Sequence, residues 1–199
     1  MCQFIETIRI DRGEACNLLY HDKRLNATRA HFWPGSDCIH LAEHLKLSPD
    51  MNGMKCRILY DGEGIKEISY AEYTIRPIHS LRLVCSDGID YTYKSTDREE
   101  LNHLFARRGE QDDVLIVKQG LLTDTSIANI ALFDGTDWYT PQSPLLKGTR
   151  REALIDKGII KEREIAMREL SSFSFVRLFN AMIEWGALEL STEFIYNPL

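Results

Sequence analysis

Alternating apolar and polar positions open the chain. Phe4 to Arg9 alternates and predicts a strand, Asp11-Arg12-Gly13-Glu14 a turn, and Ala15 to Tyr20 a second strand that closes a hairpin. From His21 to Phe32 the spacing becomes helical, with Leu25, Ala27 and Phe32 on or near one side, and Pro34-Gly35 stops it. Ser36 then reads as the N-cap of a helix through Leu47, which Ser48-Pro49-Asp50 ends. Met54 to Tyr60 and Ile68 to Ile75 predict strands around the turn Asp61-Gly62-Glu63-Gly64. Arg76-Pro77 punctuates the chain and the pattern changes after it, which places a domain boundary near His79 and divides the chain into residues 1–79 and 80–199.

Leu81 to Cys85 starts a new strand, and Ser95 to Arg108 predicts a helix. Val114 to Val117 is a compact apolar strand, and Thr125 to Phe133 and Trp138 to Thr140 are strands around the turn Asp134-Gly135. A helix from about Thr149 to Lys157 follows, with Ile159 to Ile165 as an edge strand and Leu170 to Phe175 as a short helix or turn. Val176 to Ile183 is apolar enough to be buried. No repeat and no low-complexity segment interrupts this order.

Composition narrows the function classes. The 199 residues suffice for one large or two small domains with a real core, and 44% hydrophobic and 27% charged content is that of a soluble globular chain. No apolar run is long enough to predict a transmembrane helix, and MCQFIETIRIDRGE is too polar and acidic for a secretory signal. The net charge of −6 argues against a general nucleic-acid binder, while leaving room for a locally positive pocket that takes a small anion. Cys2, Cys16, Cys38, Cys56 and Cys85 are odd in number and form no CxxC, so reduced thiols in a cytoplasmic protein are expected and a zinc or redox motif is not.

Four places could carry chemistry. Lys94 lies between Tyr91, Tyr93 and a helix start; partial burial by such neighbours lowers an amine's pKa toward the neutral form that a Schiff base needs, although a solvated lysine before a cap gives the same pattern. Asp124 precedes Thr125-Ser126, an apolar strand and Asn129; a lone acid can keep a pyridine nitrogen protonated, or can simply end a turn. Gly148-Thr149 opens a helix whose first N–H groups could hold a phosphate, and Thr149 with Glu152 also fits a capping box. Arg24 on an amphipathic helix could reach a phosphate through its planar fork. His40 and His44 are one helical turn apart, but no HExxH pattern completes a metal site and no metal is expected. The chain has no GxSxG, P-loop or dinucleotide glycine pattern.

Taken in order, FIETIRIDRG, YHDKRL, YKSTDRE, LLTDTSIANIALFDGTDWYTP, LLKGTRREAL and LFNAMI resemble the class IV pyridoxal-phosphate enzymes (fold type IV), over nearly the whole chain. That family includes branched-chain and D-amino-acid aminotransferases and 4-amino-4-deoxychorismate lyase. The resemblance implies an α/β fold of a small N-terminal α/β domain and a larger C-terminal domain with a barrel-like sheet, pyridoxal 5′-phosphate held between them, and a homodimer. It assigns Lys94 as the Schiff-base lysine, Arg98 as the arginine that often follows it, and Asp124 to the position where the family usually has a glutamate against the ring nitrogen. It assigns Arg24, Gly148 and Thr149 to the phosphate, and Asn180-Ala181 to the last phosphate-side loop.

Departures accompany the match. Asp124 is one methylene shorter than glutamate, Lys147-Gly148-Thr149 stands for the usual Gly-Ile-Thr, and the leader strand usually found before FET is not in this sequence. LFNAMI is similar to the lyase's Asn-Ala-Leu-Met loop, so the resemblance implies first a lyase forming para-aminobenzoate and pyruvate from 4-amino-4-deoxychorismate. Arg76, Arg98 and Arg150 are then the candidate cations for a dianionic substrate. An amino-acid transaminase is the alternative with the same cofactor, and a shortened, non-catalytic binding module is the alternative without chemistry.

Overall fold

The computed structural model describes residues 2–198 as two compact units. The first is the chain up to Ile75 together with Tyr93–Asp97; the second is Arg76–Thr92 and the chain from Arg98 onwards.

In the first unit, β1 (Phe4–Asp11), β2 (Glu14–Ala15), β3 (Met54–Asp61) and β4 (Gly64–Glu72) form an antiparallel sheet in the order β2-β1-β3-β4. The helix α1 (Leu18–Phe32) packs on it. Alternation does its expected work in β1, where every second residue from Phe4 to Ile10 is buried. The core-facing set is Phe4, Glu6, Ile8 and Ile10, so one of four is an acid.

Three expectations fail in this unit. The predicted strand Ala15–Tyr20 is replaced by a two-residue strand and an earlier helix: Asn17 adopts a left-handed conformation (φ 55°), and its carbonyl accepts the N–H of Tyr20 and His21. The stripe Leu25, Ala27, Phe32 holds only at Leu25: Ala27 and Phe32 are exposed, and α1 buries His21, Leu25, Thr28 and Arg29 at helical spacing. The predicted helix Ser36–Leu47 shrinks to one 3-10 turn, Leu41–Glu43. Side chains of α1 hold the backbone there in extended form: Asn26 exchanges 2.8 Å hydrogen bonds with both the N–H and the carbonyl of Ile39, and Asp22 accepts the N–H of Leu41 at 2.9 Å. His40 and His44 therefore do not share a helix face.

Tyr93–Asp97 joins this unit by pairing with the start of β1. Ser95 bridges Phe4, the Ile5 N–H donates to the Lys94 carbonyl at 2.9 Å, and Thr96 N–H donates to the Gln3 carbonyl at 3.0 Å. Tyr93 stacks on His31 with ring centroids 4.9 Å apart and meets Phe4 and Phe32 edge-on. This pairing is why the predicted helix Ser95–Arg108 starts late, as α2 (Glu99–Ala106).

The second unit is built on β5 (Leu81–Cys85), β6 (Asp113–Lys118), β7 (Leu121–Thr125), β8 (Asn129–Phe133), β9 (Trp138–Pro141) and, after α3 (Thr149–Asp156), β10 (Lys161–Arg163). It is completed by β11 (Phe175–Phe179), β12 (Leu188–Ser191) and β13 (Ile195–Tyr196). The main path runs β10-β9-β8-β7-β6-β5-β13, and β11 joins β8 while carrying β12. The run read as one strand from Thr125 to Phe133 is broken. Thr125 Oγ1 accepts the N–H of Ala128 at 3.0 Å and turns the chain, so Asp124 of β7 comes to pair with Asn129 of β8. The core of this unit centres on Leu83, Leu115, Ile130, Leu132, Val176 and Leu178.

Candidate active site

In the second unit, Asp124 is 5% exposed. Its Oδ1 accepts Asn129 Nδ2 at 2.9 Å and its Oδ2 accepts the N–H of Leu146 at 2.9 Å. Asn129 Nδ2 also donates to the Leu146 carbonyl at 2.8 Å, so acid, amide and loop form a closed triangle. Burial pushes the Asp124 pKa up from 3.8 to about 6, against the opposing pull of the Leu146 N–H, Asn129 and the nearby Arg151 charge. An enclosed carboxyl held by neutral donors gains most from a cationic partner, and a protonated pyridine nitrogen is one.

Two residues past Leu146, Gly148 sits immediately before α3 and packs on the same amide. A Cβ at Gly148 would lie 2.0 Å from Asn129 Oδ1. Gly148 itself is the N-cap and Thr149, 2% exposed, is the first helical residue, so the cap expected at Thr149 falls one residue earlier. The Glu152 N–H donates to the Gly148 carbonyl as the first helical bond. The N–H groups ahead of it belong to the helix's positive end, the arrangement that favours an anion.

Arg150, next along α3, donates from Nε to the Asn180 carbonyl at 2.9 Å and from Nη2 to the Ala181 carbonyl at 3.4 Å. Asn180 folds its own loop: Oδ1 accepts the N–H groups of Met182 and Ile183, both at 2.8 Å, and Nδ2 donates to the Ile127 carbonyl at 3.0 Å. Asp124, Asn129 and Leu146 thus form one bonded cluster, Gly148 packs against it just ahead of Thr149, and Asn180-Ala181 is tied to the first turn of the same helix.

The first unit holds the other two predicted residues. Arg24 donates to Glu6 through Nε at 2.9 Å and Nη2 at 2.5 Å, and His21 Nδ1 meets the same carboxylate at 2.5 Å. Burial alone would raise the Glu6 pKa; the Arg24 charge and the His21 hydrogen bond outweigh it and hold it at about 2. His21 is pushed down, chiefly by burial and further by the charges of Arg24 and Lys94. The Lys94 side chain is half-buried, and its backbone is fixed by the Ile5 N–H.

The sequence model of the family "Amino-transferase class IV" matches residues 3–188. The chain belongs to this family. It is a family of pyridoxal-phosphate-dependent enzymes acting on small amino substrates, so this chain's cofactor is pyridoxal 5′-phosphate and the binding-module alternative falls away. A relative of Haemophilus influenzae (strain Rd), an uncharacterised protein, is 35% identical over 187 residues, 92% of this chain and 98% of its own length. Among solved structures, a provisionally assigned 4-amino-4-deoxychorismate lyase from Haemophilus somnus 129PT shares 33% identity at a TM-score of 0.85, covering 92% of this chain and 97% of that one. A hypothetical aminotransferase from Mycobacterium tuberculosis in its PLP-bound form shares the fold at a TM-score of 0.73 and 16% identity, covering 97% of this chain and 81% of that one.

The sequence gives Glu6 and His21 no role, and names Asn129 only as a neighbour of Asp124. Glu6 and His21 stand inside the motifs FIETIRI and YHDKRL, and the available signal was an acid at a core-facing position of an alternating strand. The candidate substrate cations all have partners within the second unit. Arg76 pairs with Asp113 at 2.6 Å, Arg98 donates to the Ser126 carbonyl at 2.7 Å, and Arg150 holds the Asn180 loop. Two cavities within the units, of about 550 Å³ around Arg29 and Cys38 and about 270 Å³ around Lys118 and Thr123, are lined by none of the residues assigned to the cofactor.

Proposed function

We propose that this enzyme is a lyase that converts 4-amino-4-deoxychorismate to para-aminobenzoate and pyruvate. The observation that carries this reading is the likeness to the Haemophilus somnus protein along 97% of that protein's length, with the LFNAMI loop built around Asn180. The reading takes the enzyme to be a cytoplasmic homodimer, with residues 1–79 and 80–199 as its domains.

Each unit holds groups that suit the cofactor: in the second, an enclosed carboxyl that gains from a cation and a helix start with no room for a side chain at Gly148; in the first, a guanidinium fork. When bound, pyridoxal 5′-phosphate supplies a carbonyl carbon for an amine and a conjugated ring that stores an electron pair. Lys94 is the residue that holds it covalently, and its Nζ is the group that takes and returns protons. Asp124 keeps the ring nitrogen protonated, with Asn129 and Leu146 fixing both of its oxygens. Arg24, Gly148 and Thr149 hold the phosphate, and Asn180-Ala181 closes that side.

The proposed reaction splits one molecule into two and balances without a second substrate. Purified enzyme is expected to form para-aminobenzoate and pyruvate in equal amounts with no 2-oxo acid added; a strict requirement for a 2-oxo acid assigns it to the transaminases instead. Lys94→Ala is expected to lose the visible absorption band of the lysine-bound cofactor together with all turnover, and an unchanged spectrum refutes the lysine assignment.

A further inference from the structure

Glu6 has no part in the function proposed so far, yet it occupies a core-facing position of β1 between Phe4 and Ile8. A buried carboxylate carries a desolvation cost, which partners must offset. Its partners are His21 and Arg24, three residues apart on α1 and so on one face of the helix. Both carboxylate oxygens are used: Oε1 by Arg24 Nε, and Oε2 by Arg24 Nη2 and His21 Nδ1. A carboxylate only accepts, so the proton on His21 Nδ1 belongs to the imidazole, and this fixes the tautomer.

The consequence lies at Arg24. A guanidinium has five N–H groups on a rigid plane. Glu6 grips the Nε/Nη2 edge, which fixes the plane and turns the Nη1/Nη2 edge away from the carboxylate. An ungripped arginine loses rotamer freedom when it orders on a ligand, and a gripped one has lost it beforehand. The next residue up the strand, Ile5, holds the Lys94 carbonyl. One dipeptide of β1 therefore sets both the lysine backbone and the arginine plane.

We propose that Glu6 is a positioning residue for the cofactor's phosphate: it holds the Arg24 fork so that its outer edge meets the 5′-phosphate, with His21 locking the carboxylate in place. This rests on the reading of Arg24 as a phosphate ligand.

The test compares two probes on the full-length, cofactor-stripped chain, pyridoxal 5′-phosphate and unphosphorylated pyridoxal, titrated by absorbance. Their affinity ratio reports phosphate recognition, whereas general damage weakens both alike. Glu6→Gln is expected to lower the ratio about tenfold, the scale of loss when a ligand-orienting partner is removed, with pyridoxal affinity retained. Arg24→Gln is expected to lower it at least as far. A ratio that falls in Arg24→Gln but not in Glu6→Gln overturns the role of Glu6. An unchanged ratio in Arg24→Gln overturns the phosphate reading itself. Glu6→Asp keeps the charge and withdraws it by one methylene, so it serves if the Gln variant does not fold; an intermediate ratio is expected. A ratio above wild type in either Glu6 variant shows that Glu6 merely neutralises Arg24, and also overturns the proposal.

Discussion

Gly148 is restricted by space, not by backbone conformation. Its φ of −70° and ψ of 142° suit any residue, but a Cβ would meet Asn129 Oδ1 at 2.0 Å. A flexible side chain could step aside. Asn129 is buried and its amide is committed to Asp124 and to the Leu146 carbonyl, so moving it breaks those bonds. Gly148→Ala is therefore expected to destabilise the protein by about 1–3 kcal/mol through donors and acceptors left unsatisfied. Asn129→Ala costs a similar amount by removing the amide. In the double variant the clash has no target, so its loss should be clearly smaller than the sum of the two. Urea denaturation of the three variants measures this, and simple additivity would show that the two residues do not act on each other.

At the scale of elements, legibility followed the cost of misplacing a residue. Strand β3 and the Gly-rich turn after it were readable because alternation and turn residues leave few alternatives, whereas β4 starts at Gly64 and ends at Glu72, not at Ile68 and Ile75. The helix α1 was readable in part: its buried face is His21, Leu25, Thr28 and Arg29, and three polar residues of four conceal a stripe defined by hydrophobicity. The segment Ser36–Leu47 was misread because its conformation is imposed by Asp22 and Asn26, bonds that no local pattern carries. The same holds for the site. Lys94, Asp124 and Gly148 stand in recognisable motifs, whereas Asn129 matters through a triangle that only the β7–β8 turn creates. If Asn26 imposes the extended path, Asn26→Ala should cost about 2 kcal/mol in a denaturant midpoint, because the Ile39 N–H and carbonyl both lose their partner. Amide exchange should accelerate first at Ile39 and Leu41; acceleration spread evenly over the chain would refute the pinning.

For the whole molecule, one enclosed carboxyl of each unit, Glu6 in the first and Asp124 in the second, responds to pH with a sign opposite to the other's. Glu6 is lowered from 4.5 to about 2, so it contributes stability that is complete above pH 4.5 and is lost as pH falls toward 2. Asp124 is raised from 3.8 to about 6. Its folded form binds the proton more tightly than the unfolded chain does, so its contribution is best below pH 3.8 and declines as pH rises through 6. Without cofactor these two groups favour the acidic region near pH 4 to 5. On the proposed assignment of Asp124 to the ring nitrogen, a protonated ring beside it would remove that penalty and tie the stability of the second unit to cofactor occupancy. Asp124→Asn cannot ionise. Between pH 4 and pH 7 the unfolding free energy of the cofactor-free wild type should therefore fall relative to Asp124→Asn by roughly 2 kcal/mol. The comparison reads a change with pH, so a constant cost of the substitution itself cancels. Parallel curves for the two proteins would mean that Asp124 titrates as an ordinary carboxyl, and loading with pyridoxal 5′-phosphate should bring the wild-type curve back toward parallel.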